Sequence, residues 1–318
     1  MTAPLRGPGF AKLRELADVV YDPWIEQTPL RIYSAEQLAD RIKAESADVV
    51  VVESDSVSGP VFDLSLRAIA STRGDPNNVD IAGATAAGVP VLNTPGRNAD
   101  AVAEMTVALL LAVTRQLLPA DSDVRSGNIF RDGSIPYQRF RGREIAGLTA
   151  GLVGLGAVGR ATQWRLSGLG LRVVAHDPYN PDAQHSLDEL LAEADVVSMH
   201  APVTDDTVGM VGAREFAAMR DGAVFLNTAR AQLHDTDALV DALRAGKVAA
   251  AGLDHFVGEW LPTDHPLVGM PNVVLTPHIG GATWDTEARQ AQMVAVDLAA
   301  LLSGEGPTHI VNPEVLGS

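Results

Sequence analysis

Short apolar runs recur along this chain, and each is followed by a stretch whose apolar positions fall at helical spacing. "ADVVVVES" (47–54), "RAIAST" (67–72) and "VPVLNTP" (89–95) form a first set. "AGLVGLG" (150–156), "LRVVAHD" (171–177), "ADVVSMHAP" (194–202), "AVFLNTAR" (223–230), "AAAGLDHF" (249–256) and "NVVLTPH" (272–278) form a second. Such runs lack the in–out alternation of a half-exposed strand, so they predict strands buried on both faces, as in a parallel sheet. Between them, "SAEQLADRIKAE" (34–45) and "TDALVDALRAG" (236–246) read as helices, the second closed by Gly246 as a C-terminal cap. Strand–helix alternation predicts an α/β architecture. "ADAVAEMTVALLLAVTRQLL" (99–118) is apolar on most faces and predicts one well-buried helix that leaves the first set of strands. Segment 119–147 is punctuated by Pro119, Gly127, Gly133, Pro136 and Gly142 and is expected to be a loop or an arm packing on another subunit. "TAPLRGPG" makes a poor strand, so any strand before Lys12 is expected to be shortened.

Composition narrows the function classes. The chain has 318 residues, long for one domain, and two compact domains are the default. A formal net charge of −16 argues against polyanionic partners such as nucleic acid or an anionic membrane surface. It leaves room for a small anionic substrate held by local arginines. The absence of cysteine excludes disulfides, thiolate catalysis and Cys-ligated metal. No apolar run is long enough to span a bilayer, "MTAPLRGPGF" lacks the apolar core of a leader, and cytoplasm is the simplest expectation.

The chemistry begins at "GLVGLGAVGRATQWRLSGLGLRVVAHDPY", where Gly154, Gly156 and Gly159 stand in a G-x-G-x-x-G arrangement. The pattern follows an apolar run, opens a helical segment, and is followed about twenty residues later by Asp177 at the end of the next run. In that context it predicts a dinucleotide site. Gly154 permits the tight turn, Gly156 lets backbone approach the pyrophosphate at a helix N-terminus, and Gly159 allows close helix–strand packing. Asp177 suits the two adenosine ribose hydroxyls and repels a 2′-phosphate, so NAD is expected over NADP. In an open parallel sheet, ligands bind at the carboxyl ends of the strands. Those ends here carry Gly154, Asp177, Pro202, Arg230, Asp254 and His278, with Glu259 just beyond Asp254. An imidazole that ionises near neutrality, a carboxylate to hold it and a guanidinium to grip a substrate carboxylate make an acid–base kit. The spacing of His255 and His265 supports no metal site.

The chain resembles the D-isomer-specific 2-hydroxyacid dehydrogenases, a family that includes phosphoglycerate and glyoxylate/hydroxypyruvate reductases. The resemblance runs along nearly the whole chain. It is carried by "NNVDIAGATAAGVPVLNTPGRNADAVAEMTVALLLA" (77–112), the glycine loop, "LNTARAQLHDTDAL" (226–239), "AAGLDHFVGEWLPTDHPL" (250–267) and "NVVLTPHIGGAT" (272–283). It implies two doubly wound parallel-sheet domains with a cleft between. One is a flavodoxin-like substrate domain made of 1–98 plus 284–318. The other is a Rossmann NAD-binding domain over 99–283. It also implies a homodimer, and long helices near 100 and 285–302 that cross between the domains. By resemblance, Arg230 takes the substrate-binding arginine position, Glu259 that of the glutamate paired with the catalytic histidine, and His278 that of the histidine. Asp254 matches the residue that bonds the nicotinamide carboxamide. Thr106, Ala157, Val158, Pro202, Thr207, Thr228 and Gly280 match other cofactor contacts. Arg73, Gly74, Asp75 and Asn98 match the substrate side.

The implied reaction is reversible hydride transfer between nicotinamide and C2 of a small 2-oxo or D-2-hydroxy acid. Two other readings compete: a non-catalytic NAD(H)-sensing protein of the corepressor type, and a formate-dehydrogenase-like hydride transfer. Glu259 speaks against the latter, whose branch carries Gln there. The chain also departs from the common pattern. Trp260 stands where Pro often follows the glutamate, Ala231 replaces Gly, and Leu233-His234 replaces Val-Asp. Asp254-His255-Phe256 replaces Asp-Val-Phe, and "TRGDPNNVD" (72–80) replaces a glycine-rich turn.

Overall fold

The computed structural model describes residues 1–317 and divides into two compact units, Met1–Arg97 with Thr283–Ser318, and Asn98–Ala282. Both are α/β units built on parallel sheets.

The first unit has a three-stranded sheet in the order β1 (Val49–Val52), β2 (Ala68–Ser71), β3 (Val91–Leu92). Its strands alternate perfectly between two cores. Val50, Val52, Ile69 and Val91 face Leu38 and Ile42 of helix Ala35–Glu45. Val51, Ala68, Ala70 and Leu92 face Leu13 of helix Gly7–Leu16 and Ala291, Val294 and Leu298 of helix Trp284–Leu302. Helix Ala35–Glu45 starts with a capping box between Ser34 and Gln37, which satisfies otherwise orphaned N–H groups. Residues 1–6 form no strand, yet Thr2 and Ala3 both donate their backbone N–H to Val51 O, and Ala3 and Leu5 are buried. Pro4 breaks the donor pattern that a regular ladder needs.

The second unit has a six-stranded parallel sheet in the order β5-β4-β6-β7-β8-β9. The strands are β4 (Thr149–Val153), β5 (Arg172–His176), β6 (Val196–Met199), β7 (Ala223–Asn227), β8 (Val248–Leu253) and β9 (Val273–Leu275). Both faces are covered. Leu152, Val196, Val224, Leu226 and Ala250 meet Leu109, Leu110 and Leu166. Val153, Val197, Phe225 and Leu253 meet Leu190, Phe216, Leu239 and Leu243. The chain leaves β4 first to one side, for β5, and then to the other, for β6. That reversal leaves a crevice at the C-terminal ends of β4 and β6.

Two expectations are corrected. The apolar stretch 99–118 is not one helix: it splits into Ala99–Thr114 and Leu117–Arg125, bent by 65° at Gln116, whose φ is +51°. The carbonyl of Thr114 accepts from Arg143 N instead of continuing the helix. No single helix among the described residues is long and apolar enough to cross a membrane, and the first of this pair is a core helix of the sheet. Segment 119–147 also contains a one-turn helix, Pro136–Arg139.

Candidate active site

The glycine loop leaves β4 at the topological switch. Gly154 has φ +99°, and a Cβ there would lie 2.6 Å from Ala201 N, inside the neighbouring chain after β6. A Cβ on Gly159 would lie 2.3 Å from Gly154 O, so helix Ala157–Gly168 sits directly on the loop. Gly156 differs: its φ is −75°, and nothing lies within 4 Å of where its Cβ would be. Neither backbone strain nor protein packing demands glycine there. The space in front of the helix N-terminus, opened by Ala157 and Val158, is what a pyrophosphate needs. Asp177, just past β5, accepts from Leu155 N at 2.8 Å and from Tyr179 N at 3.0 Å, so it fixes the loop from the ribose side. A carboxylate can accept about four hydrogen bonds, so capacity for a sugar remains. These features fit a dinucleotide with an unphosphorylated adenosine ribose.

His200 underlies this loop. Its Nε2 pairs with Ser198 Oγ at 3.0 Å, its Nδ1 is buried with no partner among the described residues, and burial pushes its pKa down to about 4. On the same rim, Thr207 Oγ1 donates to Pro202 O at 2.7 Å and accepts from Thr204 N, which closes the 202–207 turn.

β7 ends at Asn227, three residues before Arg230. Asn227 is fully buried and organises the turn that follows. Its Nδ2 donates to Arg230 O and to His234 Nδ1, and its Oδ1 accepts from Ala229 N. His234 is thereby a neutral acceptor, and burial lowers its pKa to about 4. The Arg230 side chain is exposed, and its one hydrogen bond among the described residues goes from Nη1 to the adjacent Ala229 carbonyl. Thr228 Oγ1 meets Thr106 Oγ1 at 2.8 Å in a fully buried pair. Sequence reasoning missed Asn227 and His234. The signal was there: an amide closing a continuous apolar strand, and a histidine seven residues later.

β8 and β9 also stop short of the candidate residues that follow them. Asp254 follows β8 and is completely buried. Its Oδ1 accepts from Thr276 Oγ1 at 2.6 Å and Ile279 N at 2.9 Å, and its Oδ2 from Gly280 N at 2.7 Å. The carboxylate therefore clasps the turn on both sides of His278. Gly280 has to be glycine, because a Cβ there would sit 2.8 Å from Asp254 Oδ2. Asn98 approaches the next residue: a Cβ on Gly281 would lie 3.0 Å from its Nδ2. His278 has φ +54°, and Glu259, on the loop after β8, has φ +57° beside Gly258 at +69°. Left-handed backbone costs an ordinary residue about 1–3 kcal/mol and clusters at functional sites. The result is a hydrogen bond of 2.8 Å between His278 Nδ1 and Glu259 Oε1, with both side chains partly exposed. Nδ1–H donates, which leaves Nε2 for a ligand.

His255 lies against this pair. Its ring centroid is 3.8 Å from that of His278, tilted by 52°. It is buried, and its pKa falls to about 4, chiefly through burial and then through the neighbouring His278 and Arg230. His265 does something else: its Nδ1 accepts from Leu267 N and caps the short helix Pro266–Gly269.

In the first unit, Arg73 Nε donates to Glu53 O and its Nη1 to Asn77 Oδ1 at 2.6 Å. Gly74 O accepts from Asn93 Nδ2 at 2.7 Å, and Asp75 is exposed.

A parallel sheet with a switch-point glycine loop and an acidic ribose position defines a dinucleotide-binding protein of the Rossmann class. Residues 107–280 match the family described as "D-isomer specific 2-hydroxyacid dehydrogenase, NAD binding domain". A glyoxylate reductase of Thermofilum pendens is 38% identical over 97% of this chain and 92% of its own length. A D-3-phosphoglycerate dehydrogenase of Mycobacterium leprae is 37% identical over 93% of this chain and 56% of its own. The NAD-complexed D-isomer specific 2-hydroxyacid dehydrogenase of Lactobacillus delbrueckii ssp. bulgaricus superimposes with a TM-score of 0.77, at 27% identity over 96% of each chain. This chain belongs to the D-isomer specific 2-hydroxyacid dehydrogenase family. It is an NAD-dependent oxidoreductase, and neither the corepressor nor the formate-dehydrogenase reading is favoured.

Proposed function

We propose that this enzyme interconverts a small 2-oxo acid and the corresponding D-2-hydroxy acid, with His278 as acid–base, Glu259 as its partner and Arg230 as the carboxylate clamp. The observation that carries the reading is the 2.8 Å hydrogen bond between His278 and Glu259, made from two left-handed backbone positions beyond β8 and β9. Bound NADH supplies a hydride from C4 of its nicotinamide to C2 of the oxo acid. His278 Nε2–H gives its proton to the carbonyl oxygen as that oxygen becomes a hydroxyl, and takes one back in the oxidative direction. Glu259 fixes the ring through Nδ1–H, which turns Nε2 toward the substrate. Arg230 can grip the substrate carboxylate with its planar fork. Asp254 holds the turn that carries His278, and Thr106, Thr207 and Thr228 stand on the cofactor side.

We further propose a homodimer assembled through the arm after helix Ala99–Thr114. That arm exposes Leu117, Phe130 and Tyr137, the last at 85%. Such a concentration of bare apolar surface suits a partner subunit.

The test of the chemistry is a panel of glyoxylate, hydroxypyruvate, phosphohydroxypyruvate and branched and aromatic 2-oxo acids with NADH. At least one is expected to turn over at an ordinary enzymatic rate. His278→Ala is expected to lower kcat/KM on that substrate by about 10²–10⁴-fold while NADH still binds. Undiminished turnover by His278→Ala would remove His278 from the mechanism.

A further inference from the structure

His255, Glu259 and His278 each present one donor atom, and the three atoms lie within 4.8 Å of one another. We propose that these residues form a binding site for a divalent transition-metal ion such as Zn²⁺, whose occupation reversibly inhibits the dehydrogenase. The inference rests on the proposed role of His278 and Glu259, because a metal held by both takes them out of the reaction.

The donor set fits such an ion. Two imidazoles and one carboxylate suit Zn²⁺ or Co²⁺, whereas Mg²⁺ and Ca²⁺ favour all-oxygen shells. At metal–ligand distances near 2.1 Å, tetrahedral donors stand about 3.4 Å apart, so the three atoms need to close by no more than roughly 1.4 Å. Two of the three side chains can make that movement: the His278 side chain is 44% exposed and that of Glu259 57%. The third is fixed. His255 is buried, and its ring packs against that of His278 with the centroids 3.8 Å apart. Solvent reaches the exposed pair, which gives an entry path and leaves the remaining coordination position to water. Asp254 adds a buried negative charge next to His255, and the Arg230 charge, the opposing influence, sits on an exposed side chain.

The arrangement is invisible in the sequence spacing. His255 and His278 are twenty-three positions apart and come from different strand ends, and they meet because β8 and β9 are neighbours in register.

The experiment titrates Co²⁺ into EDTA-treated, dialysed enzyme and follows visible d–d absorption, with Zn²⁺ inhibition of NADH-dependent glyoxylate reduction measured in parallel. If glyoxylate proves a poor substrate, the fastest acid of the panel replaces it. The expected result is one Co²⁺ per chain, inhibition by Zn²⁺ that EDTA reverses, and both affinities weakened at least tenfold in His255→Val. Each variant's inhibition is scored against its own metal-free rate. His255→Gln is a second variant should His255→Val fail to fold, and the wild-type titration needs neither. No stoichiometric Co²⁺ band in the wild type, or an unchanged band and inhibition in the His255 variants, overturns the metal site. The underlying catalytic reading fails differently: Co²⁺ binds but turnover is untouched, and His278→Ala remains active.

Discussion

The two ends of the second unit's sheet make function in opposite ways. At the β4–β6 end, the decisive residues are glycines, and what matters is where side chains are missing. At the β8–β9 end, the decisive residues are bulky and titratable, and a buried carboxylate holds them on left-handed backbone. In the proposed mechanism the first region selects a ligand by shape and helix dipole, and the second places a proton. The difference teaches that identical strand ends acquire different chemistry from what the following turn is forced to do. At Gly159 the turn has to admit a neighbouring carbonyl. At His278 it has to offer its N–H groups to Asp254.

Asp254→Asn should have the largest effect on this contrast. It sets an NH₂ group against backbone donors at Ile279 or Gly280 in a site with no water access. Leaving a buried donor unsatisfied costs about 1–3 kcal/mol, and loosening the catalytic ring should cut kcat by about 10²-fold. Thermal unfolding and steady-state kinetics measure both, and wild-type values for each would mean that the clasp does not position His278.

Acid should act at both ends, because His255 beside His278 is held neutral with a pKa of about 4 just as His200 is beneath the glycine loop. His200 is neutral in the folded protein with a pKa of about 4, against an ordinary 6.5 when unfolded. The unfolded chain therefore binds a proton first as pH falls. The His200 contribution to stability is full above about pH 6.5, declines by roughly 1.4 kcal/mol per pH unit, and levels off near pH 4. His234, with a similarly lowered value, adds in the same direction. Denaturant unfolding from pH 7 to 5 should show the slope, and His200→Gln should flatten it; equal slopes in variant and wild type would exclude His200 as a source.

The paired substitutions Gly159→Ala and Gly156→Ala sharpen the comparison from within one loop. Gly159→Ala meets backbone at 2.3 Å and should destabilise the fold by about 1–3 kcal/mol. Gly156→Ala meets nothing, so the melting temperature should hold while the NADH Kd rises about tenfold, or roughly 1.4 kcal/mol. Unchanged NADH affinity would show that the open space is not the pyrophosphate's. Asp177→Ala is the mildest: wild type should prefer NADH over NADPH by about tenfold in kcat/KM, and the variant should narrow that gap. A wild type that uses both equally would dismiss the ribose assignment.

Much of this was legible in the chain. The apolar run at 150–156 covers all of β4 but its first residue, and those at 194–202 and 223–230 contain β6 and β7, because strands covered on both faces cannot hide their hydrophobicity. The glycine loop was readable because its spacing reflects packing against the immediate neighbours in sequence. What stayed hidden depends on register between strands distant in sequence. That holds for the triple clasp by Asp254, for the network around Asn227, and for the packing of His255 on His278. The break at Gln116 was hidden for another reason: nothing in an apolar, helix-favouring stretch announces a left-handed residue that tertiary contacts impose.

The first unit closes only with a late piece of chain. Helix Trp284–Leu302 covers one side of its sheet, and a Cβ on Gly9 would fall 2.2 Å from the backbone of Gln292. During synthesis, all of 98–282 emerges between the first strands and that helix, on the order of ten to forty seconds at about 5–20 residues per second. For that interval Val51, Ala68, Ala70 and Leu92 have no cover from residues 284–302. The second unit, uninterrupted in sequence, has all its strands made before the helix that completes the first, so the nascent chain carries an unfinished apolar face until that helix is made.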